Sequence, residues 1–146
     1  MSESGRFRAI VAVHLLLIRG GSLLLLRRAT TGYEDGNFSV PAGHLEGGET
    51  VTAAAIREGA EEVGVRLAAD ELSFAVVMHR RAEAERIDFF LSATTWTGEP
   101  YNREPGKCDE LRWAPSESLP ENTVPYVRRG IEAYLAGERF VEFGWD

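Results

Sequence analysis

Residues 43–65 read GHLEGGETVTAAAIREGAEEVGV, and the three glutamates near the end of this stretch decide how the rest of the chain is read. On a helix, Glu61 falls about 60° to one side of Glu58 and Glu62 about 40° to the other. All three carboxylates then project within one arc of about 100°. Glu58 and Glu62 form a like-charge i,i+4 pair, which costs roughly a few tenths of a kcal/mol in an isolated helix. Two readings follow: a solvated acidic face, or a cation that the three carboxylates share. The helix itself is well marked. Thr50 is its N-cap, the periodic run covers Val51 to Val63, and Gly64 is a natural residue just past the C-terminus.

Outward from this helix, strands and loops alternate. Residues 7–18 are almost wholly apolar, then comes RGGS, then LLLLRR, which predicts two strands joined by a Gly-Gly hairpin. FSVPAG reads as a short strand stopped by Pro41 and Gly43. Downstream, residues 72–79 and 87–96 read as buried strands, and LRWA as another short one, preceded by the loop GEPYNREPGKCDE. Residues 124–136 carry a helical pattern with Val124, Val127, Ile131 and Leu135 on one side. RFVEFGW reads as a last strand. Interspersed strands and helices with hairpins predict an α/β fold with a mixed sheet covered by helices, not a doubly wound parallel sheet. No linker, repeat or low-complexity segment interrupts residues 1–146, so one domain is expected.

The chain has 146 residues, 44% of them hydrophobic, with a formal net charge of −7 and one cysteine. No apolar run reaches the roughly 18 residues of a membrane span, so no membrane partner is expected. The opening MSESGRFRAI lacks the plan of a secretory leader, and a lone cysteine fits a reducing cytoplasm. A net negative chain without a basic stripe is a poor partner for a nucleic-acid polymer. A small anionic substrate is compatible if metal ions offset the repulsion.

The spacing from Gly43 onward is G-x5-E-x7-R-E-x-x-E-E-x-G, closed by the aliphatic Val65. This resembles the signature of the Nudix hydrolases, G-x5-E-x7-R-E-U-x-E-E-x-G-U, where U is aliphatic. All seven fixed letters are present, a match expected by chance on the order of once in 10⁸ starts. One position departs: the first U is Gly59. A helical glycine costs about 1 kcal/mol against alanine, and it would permit close approach to the sheet. The resemblance implies a Nudix-type α/β/α sandwich with a mixed central sheet. It also implies hydrolysis of a diphosphate bond in a nucleoside diphosphate-linked substrate.

The resemblance further implies a magnesium site, with manganese as a substitute. Magnesium prefers hard oxygen ligands. Glu58 and Glu62 would be direct ligands, Glu61 direct or through water, and the carbonyl of Ala42 would join them. Glu49 and Arg57 would orient these groups, Arg57 by forking onto a carboxylate. In the MutT-type branch a further metal-binding or base-like glutamate lies in the loop before the next strand. Glu110 takes that role, with Glu104 as the substitute, and its other reading is a strand-edge charge. Arg28 lies fifteen residues before Gly43, as the second of the basic pair Arg27–Arg28 resembling that of MutT-type enzymes. It is either a phosphate ligand or a strand-end arginine in water. Asn122 sits in the loop that supplies an asparagine to the base in that branch, and otherwise is a turn or cap residue.

Other residues carry less. His14 reads as a core histidine, His44 is a variable position, and His79 ends a strand beside Arg80 and Arg81. Cys108 has no partner for nucleophilic catalysis. Phe89, Phe90, Trp96 and Trp113 read as core, with one of them lining a base pocket as the other reading. The marker residues of ADP-ribose, dinucleoside polyphosphate and NADH subtypes are missing after the signature, and the chain is compact. By elimination the expected substrate is a nucleoside triphosphate, oxidised or not, cleaved to monophosphate and pyrophosphate. A nucleotide sugar or another nucleoside diphosphate derivative is the alternative, as is a non-catalytic nucleotide-binding domain. An isomerase on the same fold would need different signature letters. Homodimers are common in the family and are carried over as an expectation.

Overall fold

The structure is a computed structural model that describes residues 5–146. The expectation about a leader falls partly on residues 1–4, outside the described residues. Eight strands and two α-helices run in the order β1 (Ile10–Arg19), β2 (Ser22–Arg28), β3 (Phe38–Ser39), β4 (Ala42–His44), α1 (Val51–Val63), β5 (Ser73–Arg81), β6 (Glu85–Ala93), β7 (Cys108–Pro115), α2 (Pro125–Ala136) and β8 (Phe140–Phe143) among the described residues. The sheet order is β3-β2-β1-β6-β5-β8, with β4 also paired to β1 and β7 to β2. The β1/β6 and β5/β8 pairs are parallel and the remainder antiparallel. The sheet is therefore mixed, as expected.

The leucine-rich runs explain why the sheet is covered on both faces. Leu15, Leu17, Leu24 and Leu26 pack on one face with Ala55, Val63 and Val65 at α1. Leu16, Leu23 and Leu25 pack on the other with Val127, Ile131 and Ala133 of α2. Successive side chains of a strand point to opposite faces, so a strand buried on both reads as a continuous apolar run. The result is an α/β/α sandwich with one core on each side of the sheet. Inside α2, a Cβ on Gly130 would overlap the ring of Phe90, so this helical glycine lets the helix sit close to β6.

Gly20 and Gly21 turn the β1–β2 hairpin with φ of 56° and 81°, the positive values a two-residue type I′ turn needs. The hairpin pairing lasts only two rungs, Arg19–Ser22 and Ile18–Leu23. Beyond it β1 turns to β4 and β6, while β2 turns to β7. This splaying opens one end of the sheet, beside α1.

Three expectations are corrected. The chain does not stop pairing at Pro41 and Gly43: after β3 it forms β4, in which Ala42, Gly43 and His44 pair with His14, Val13 and Ala12. Residues 108–110 belong to strand rather than loop, because β7 starts at Cys108 and Arg27 of β2 pairs with Glu110 and bonds Asp109 at 2.7 Å. Leu135, expected on the apolar side of α2, is 46% exposed, since it falls in the last turn beyond the sheet. The helix predicted from the glutamates forms as expected. Thr50 accepts a bond from the Ala53 N–H at 3.0 Å, and Gly64 closes the helix with φ of 70°.

Candidate active site

The geometry begins with strand β4 lying against helix α1. Glu58 is buried, and a Cβ on Gly43 would overlap its carboxylate. Glu62 lies one turn further on, and both of its oxygens accept from the Ala42 N–H at 3.3 Å. Two carboxylates thus converge on the Ala42–Gly43 backbone. Burial pushes the Glu62 carboxyl well above the usual carboxylate range, and hydrogen bonding with Glu58, then the Glu58 charge, adds to this. Such a pair holds a proton or a cation more readily than two full negative charges.

Arg57 holds the other side of the cluster. Its Nη2 donates to Glu49 Oε1 at 2.7 Å, its Nε to Glu49 Oε2 at 3.2 Å and its Nη1 to Glu58 Oε2 at 2.8 Å. The fork on Glu49 is the bidentate pairing expected of an orienting arginine. Glu49 in turn accepts from the Glu46 N–H at 2.8 Å. The Arg57 guanidinium holds the Glu49 carboxyl below its ordinary value. Arg57 Nη1 also stands 3.5 Å from Glu61 and 3.6 Å from Glu46. It is the internal counter-ion of the cluster. Among the described residues no three carboxylate, imidazole or thiol groups are gathered into a ready-made ligand set. Glu61 is mostly exposed.

Glu46, Arg57, Glu58, Glu61 and Glu62, but not Glu49, line a cavity of about 710 Å³ that also takes in Arg28, Thr30, His44, Glu104, Lys107 and Cys108. Glu104 arrives on a loop tied to the C-terminal end of α1. Tyr101 N–H donates to the Val63 carbonyl at 3.0 Å, Arg103 N–H to Glu62 at 3.2 Å and Arg103 Nη1 to Ala60 at 2.8 Å. Cationic and N–H donors suit the unpaired carbonyls of a helix end. Glu110 lies elsewhere: it pairs with Arg112 at 3.0 Å and stands 3.8 Å from Arg27, outside this cavity. Arg28 donates to the Tyr33 carbonyl at 2.7 Å and to Thr31 Oγ1 at 3.1 Å, which fixes its guanidinium at the cavity wall. Asn122 is exposed, donates to the Gly36 carbonyl at 2.8 Å and lines neither this cavity nor its neighbour.

The donor set fits a hard divalent cation. The groups that converge are carboxylate oxygens, with the Ala42 backbone beside them. The one sulfur present, Cys108 Sγ, donates to the Glu110 carbonyl at 3.3 Å, and burial pushes its thiol up, so it stays protonated.

A second cavity of about 370 Å³ adjoins the first and shares Arg28, Ala42, Gly43 and His44 with it. Tyr33, Arg80, Glu83, Arg86, Tyr126 and His14 complete its wall. Of these the sequence singled out only His14 and, in passing, Arg80. Part of the signal was there: His14 interrupts the apolar run of β1 and Asp88 that of IDFF in β6, while Arg80 sits in the polar end of β5, and all three are buried. Phe90 is core as expected, and His79 lines neither cavity, its ring lying 4.6 Å from that of Trp145. Phe89 is partly buried and lines neither cavity. Trp96 and Trp113 stack on each other with Arg19 over Trp113 at 4.5 Å, on the core side of α1.

A family profile described as the NUDIX domain matches residues 7–134. The 8-oxo-dGTP diphosphatase of Escherichia coli (strain K12) is 26% identical over 121 residues, covering 82% of this chain and 93% of that protein. The crystal structure of a MutT NUDIX hydrolase from Burkholderia pseudomallei superposes with a TM-score of 0.79 at 26% identity, covering 86% of this chain and 98% of that one. The MutT protein from Methanosarcina mazei Go1 shares the fold, with a TM-score of 0.77 at 20% identity over 92% of this chain and 98% of that one. With the signature on α1, the two-sided sheet and these likenesses in agreement, the chain belongs to the Nudix family, as a pyrophosphohydrolase of MutT-like build.

Proposed function

We propose that the chain hydrolyses a nucleoside triphosphate, oxidised or not, to nucleoside monophosphate and pyrophosphate, with magnesium bound and manganese as a substitute. One observation carries this: an acidic cavity and an arginine- and tyrosine-lined cavity lie side by side, joined through Arg28 and β4. The first suits metal-bound phosphates and the second a nucleoside. The 8-oxo-dGTP diphosphatase named above supports a triphosphate substrate.

In this reading Glu58, Glu62 and the Ala42 carbonyl hold the metal, and Glu61 holds it directly or through water. The bound metal supplies charge neutralisation on the phosphates and a more acidic water. Arg57 and Glu49 keep Glu58 in place. Arg28 orients a phosphate. Glu104, which lines the cavity beside Glu62 where Glu110 does not, takes the proton of the attacking water or adds to the metal's ligands. Water oxygen bonds to the phosphorus next to the one bearing the nucleoside, and the bridging oxygen leaves with the monophosphate. Asn122, which bonds the Gly36 carbonyl, would have to turn to reach a base. The same reading takes the chain as one domain working in the cytoplasm on free nucleotides, not on a nucleic-acid polymer. Among the described residues no helix is long and apolar enough to cross a membrane. A homodimer, carried over from the family, is checked by light scattering.

Hydrolysis in oxygen-18 water tests the reaction. Label is expected in pyrophosphate. Label in the monophosphate moves attack to the phosphorus bearing the nucleoside. Inert triphosphates beside rapid turnover of a nucleotide sugar would replace the substrate and leave the metal site standing. Glu62→Gln is expected to lower turnover by orders of magnitude and leave the fold intact.

A further inference from the structure

The loop that carries Glu104 is closed by one side chain. Asn102 Oδ1 accepts from the Glu104 N–H at 3.0 Å, and Asn102 Nδ2 donates to the Cys108 carbonyl at 2.7 Å. The first bond is the turn that an asparagine makes to the backbone two residues on. The second reaches across the loop to the first residue of β7, which is paired with Arg28 of β2. An amide supplies both needs at once, an acceptor for the N–H and a donor for the carbonyl. The Glu104 carbonyl in turn accepts from the Lys107 N–H at 2.9 Å and the Cys108 N–H at 3.0 Å. Both backbone polar groups of Glu104 are therefore held inside the loop.

Asn102 also sits between the two residues that tie the loop to α1. The Tyr101 and Arg103 N–H groups donate to the carbonyls of Val63 and Glu62, and the Tyr101 ring covers Gly64 so closely that a Cβ there would overlap it. At the other end, Thr30 Oγ1 donates to the Gly106 carbonyl at 2.6 Å and the Ala29 N–H to the Lys107 carbonyl at 2.9 Å. The loop is thus anchored on the helix that carries Glu62 and on the segment after β2, with Glu104 between the anchors. Glu104 lines the acidic cavity and Asn102 does not. Burial and Glu58 push the Glu62 carboxyl up and the Glu104 charge adds to them, so the Glu104 carboxylate lies on the Glu62 side of its loop. An aspartate at 102 would lack the donor for Cys108, an alanine both bonds, and a serine the reach.

We propose that Asn102 is a positioning residue for the hydrolysis: its side-chain amide braces residues 102–108 so that the Glu104 carboxylate is held at the wall of the acidic cavity beside Glu62. This rests on the reading of Glu104 as the proton acceptor or added metal ligand. It does not depend on which nucleotide is the substrate.

The test is a double-mutant cycle in the full chain, run with magnesium and dGTP or whichever other nucleotide the native chain turns over. Asn102→Ala is expected to lower kcat by about tenfold or more and to leave KM within about twofold. In the Glu104→Gln background the same substitution is expected to add less than about twofold, since no carboxylate is left to position. Asn102→Ser, which keeps an acceptor for the turn, is a second variant expected to show the same pattern with a smaller loss. Hydrogen exchange of the metal-free chain gives a readout without turnover: the Lys107 and Cys108 amides are expected to exchange faster in Asn102→Ala, and those of α1 at the native rate. Native exchange at Lys107 and Cys108 would overturn the proposal. So would a loss that multiplies in full with that of Glu104→Gln, or a lowered melting temperature with native kcat, which marks a structural role alone. Native turnover in Glu104→Gln would sink the reading of Glu104 and this inference with it. A large loss in Glu104→Gln beside native kcat in both Asn102 variants would sink this inference alone.

Discussion

Gly43 lies flat beneath the Glu58 carboxylate, so close that a Cβ at residue 43 would occupy the space of the carboxyl atoms. Strand β4 is extended here and paired with Val13, so alanine is tolerated by the backbone but not by Glu58. Gly43→Ala should therefore swing Glu58 out of its seat without unfolding the chain. A displacement of about 1 Å in a catalytic array costs about 100-fold in rate. Turnover is expected to fall by about that factor, with a melting temperature close to the native one. Native turnover in Gly43→Ala would detach the seat of Glu58 from the chemistry.

Glu104 and Glu110 separate on geometry that spacing does not supply. Glu104 lines the cavity on a loop bonded to the end of α1, while Glu110 spends its carboxylate on Arg112 and Arg27 at the surface of β7. Glu104→Gln is expected to lower turnover by about 100-fold or more, the range for loss of a proton acceptor. Glu110→Gln is expected to change turnover little, and stability by about 0.5 kcal/mol or less. Steady-state rates of the two variants side by side decide this; a larger loss in Glu110→Gln would restore it to the site.

The helix carrying Glu58, Glu61 and Glu62 was legible because cap, period and signature coincide over residues 43–65. The strands were legible because burial on both faces makes their sequences continuously apolar, as in Leu23–Leu26. The second cavity was not legible in the same way. Its wall comes from β1, the end of β2 and the loop after it, β4, the β5–β6 hairpin and α2, and no local pattern ties Tyr33 to Arg86 or His14 to Tyr126. The boundary of β7 was missed for a related reason: Asp109 and Glu110 near its start are charged, and their pairing with β2, with Arg27 bonded to Asp109, is a long-range feature.

Gly59 stands where the Nudix signature has an aliphatic residue, and its surroundings explain the exchange. A Cβ there would meet Leu67 at 3.1 Å, Leu15 at 3.2 Å and Val65 at 3.3 Å. The three neighbours occupy the space an aliphatic side chain would fill. Restoring that side chain should overpack the α1 side of the sheet. Gly59→Leu is expected to destabilise by about 1–3 kcal/mol. Gly59→Ala is expected to fall within about 1 kcal/mol of native, as its helix propensity offsets mild crowding. Urea unfolding of both variants checks this; a Gly59→Leu protein more stable than native would show that the neighbours yield freely.

His14 makes acid stability of this protein depend on a group outside the acidic cluster. It is fully buried, and both ring nitrogens have a partner. Nδ1 lies 3.3 Å from the Phe89 carbonyl, which can only accept, so Nδ1 carries a proton, and in the neutral ring Nε2 accepts from the Tyr126 hydroxyl at 3.0 Å. Burial lowers its pKa to about 4, against the opposing pull of Asp88 at 3.9 Å. The unfolded chain, with an ordinary histidine near 6.5, therefore binds more protons than the folded one between those two values. The sign follows from linkage: stability is fully present above about pH 6.5, declines as pH falls toward about 4, and changes no further from this group below that. Between pH 8 and pH 5 the loss from this residue alone is about 2 kcal/mol. Other groups titrate in the same range, so the measured quantity is the difference between native protein and His14→Gln. By urea unfolding, that difference is expected to shrink by about the same amount between pH 8 and pH 5. A difference that does not change with pH would mean that His14 accepts its proton in place, with Asp88 as counter-ion.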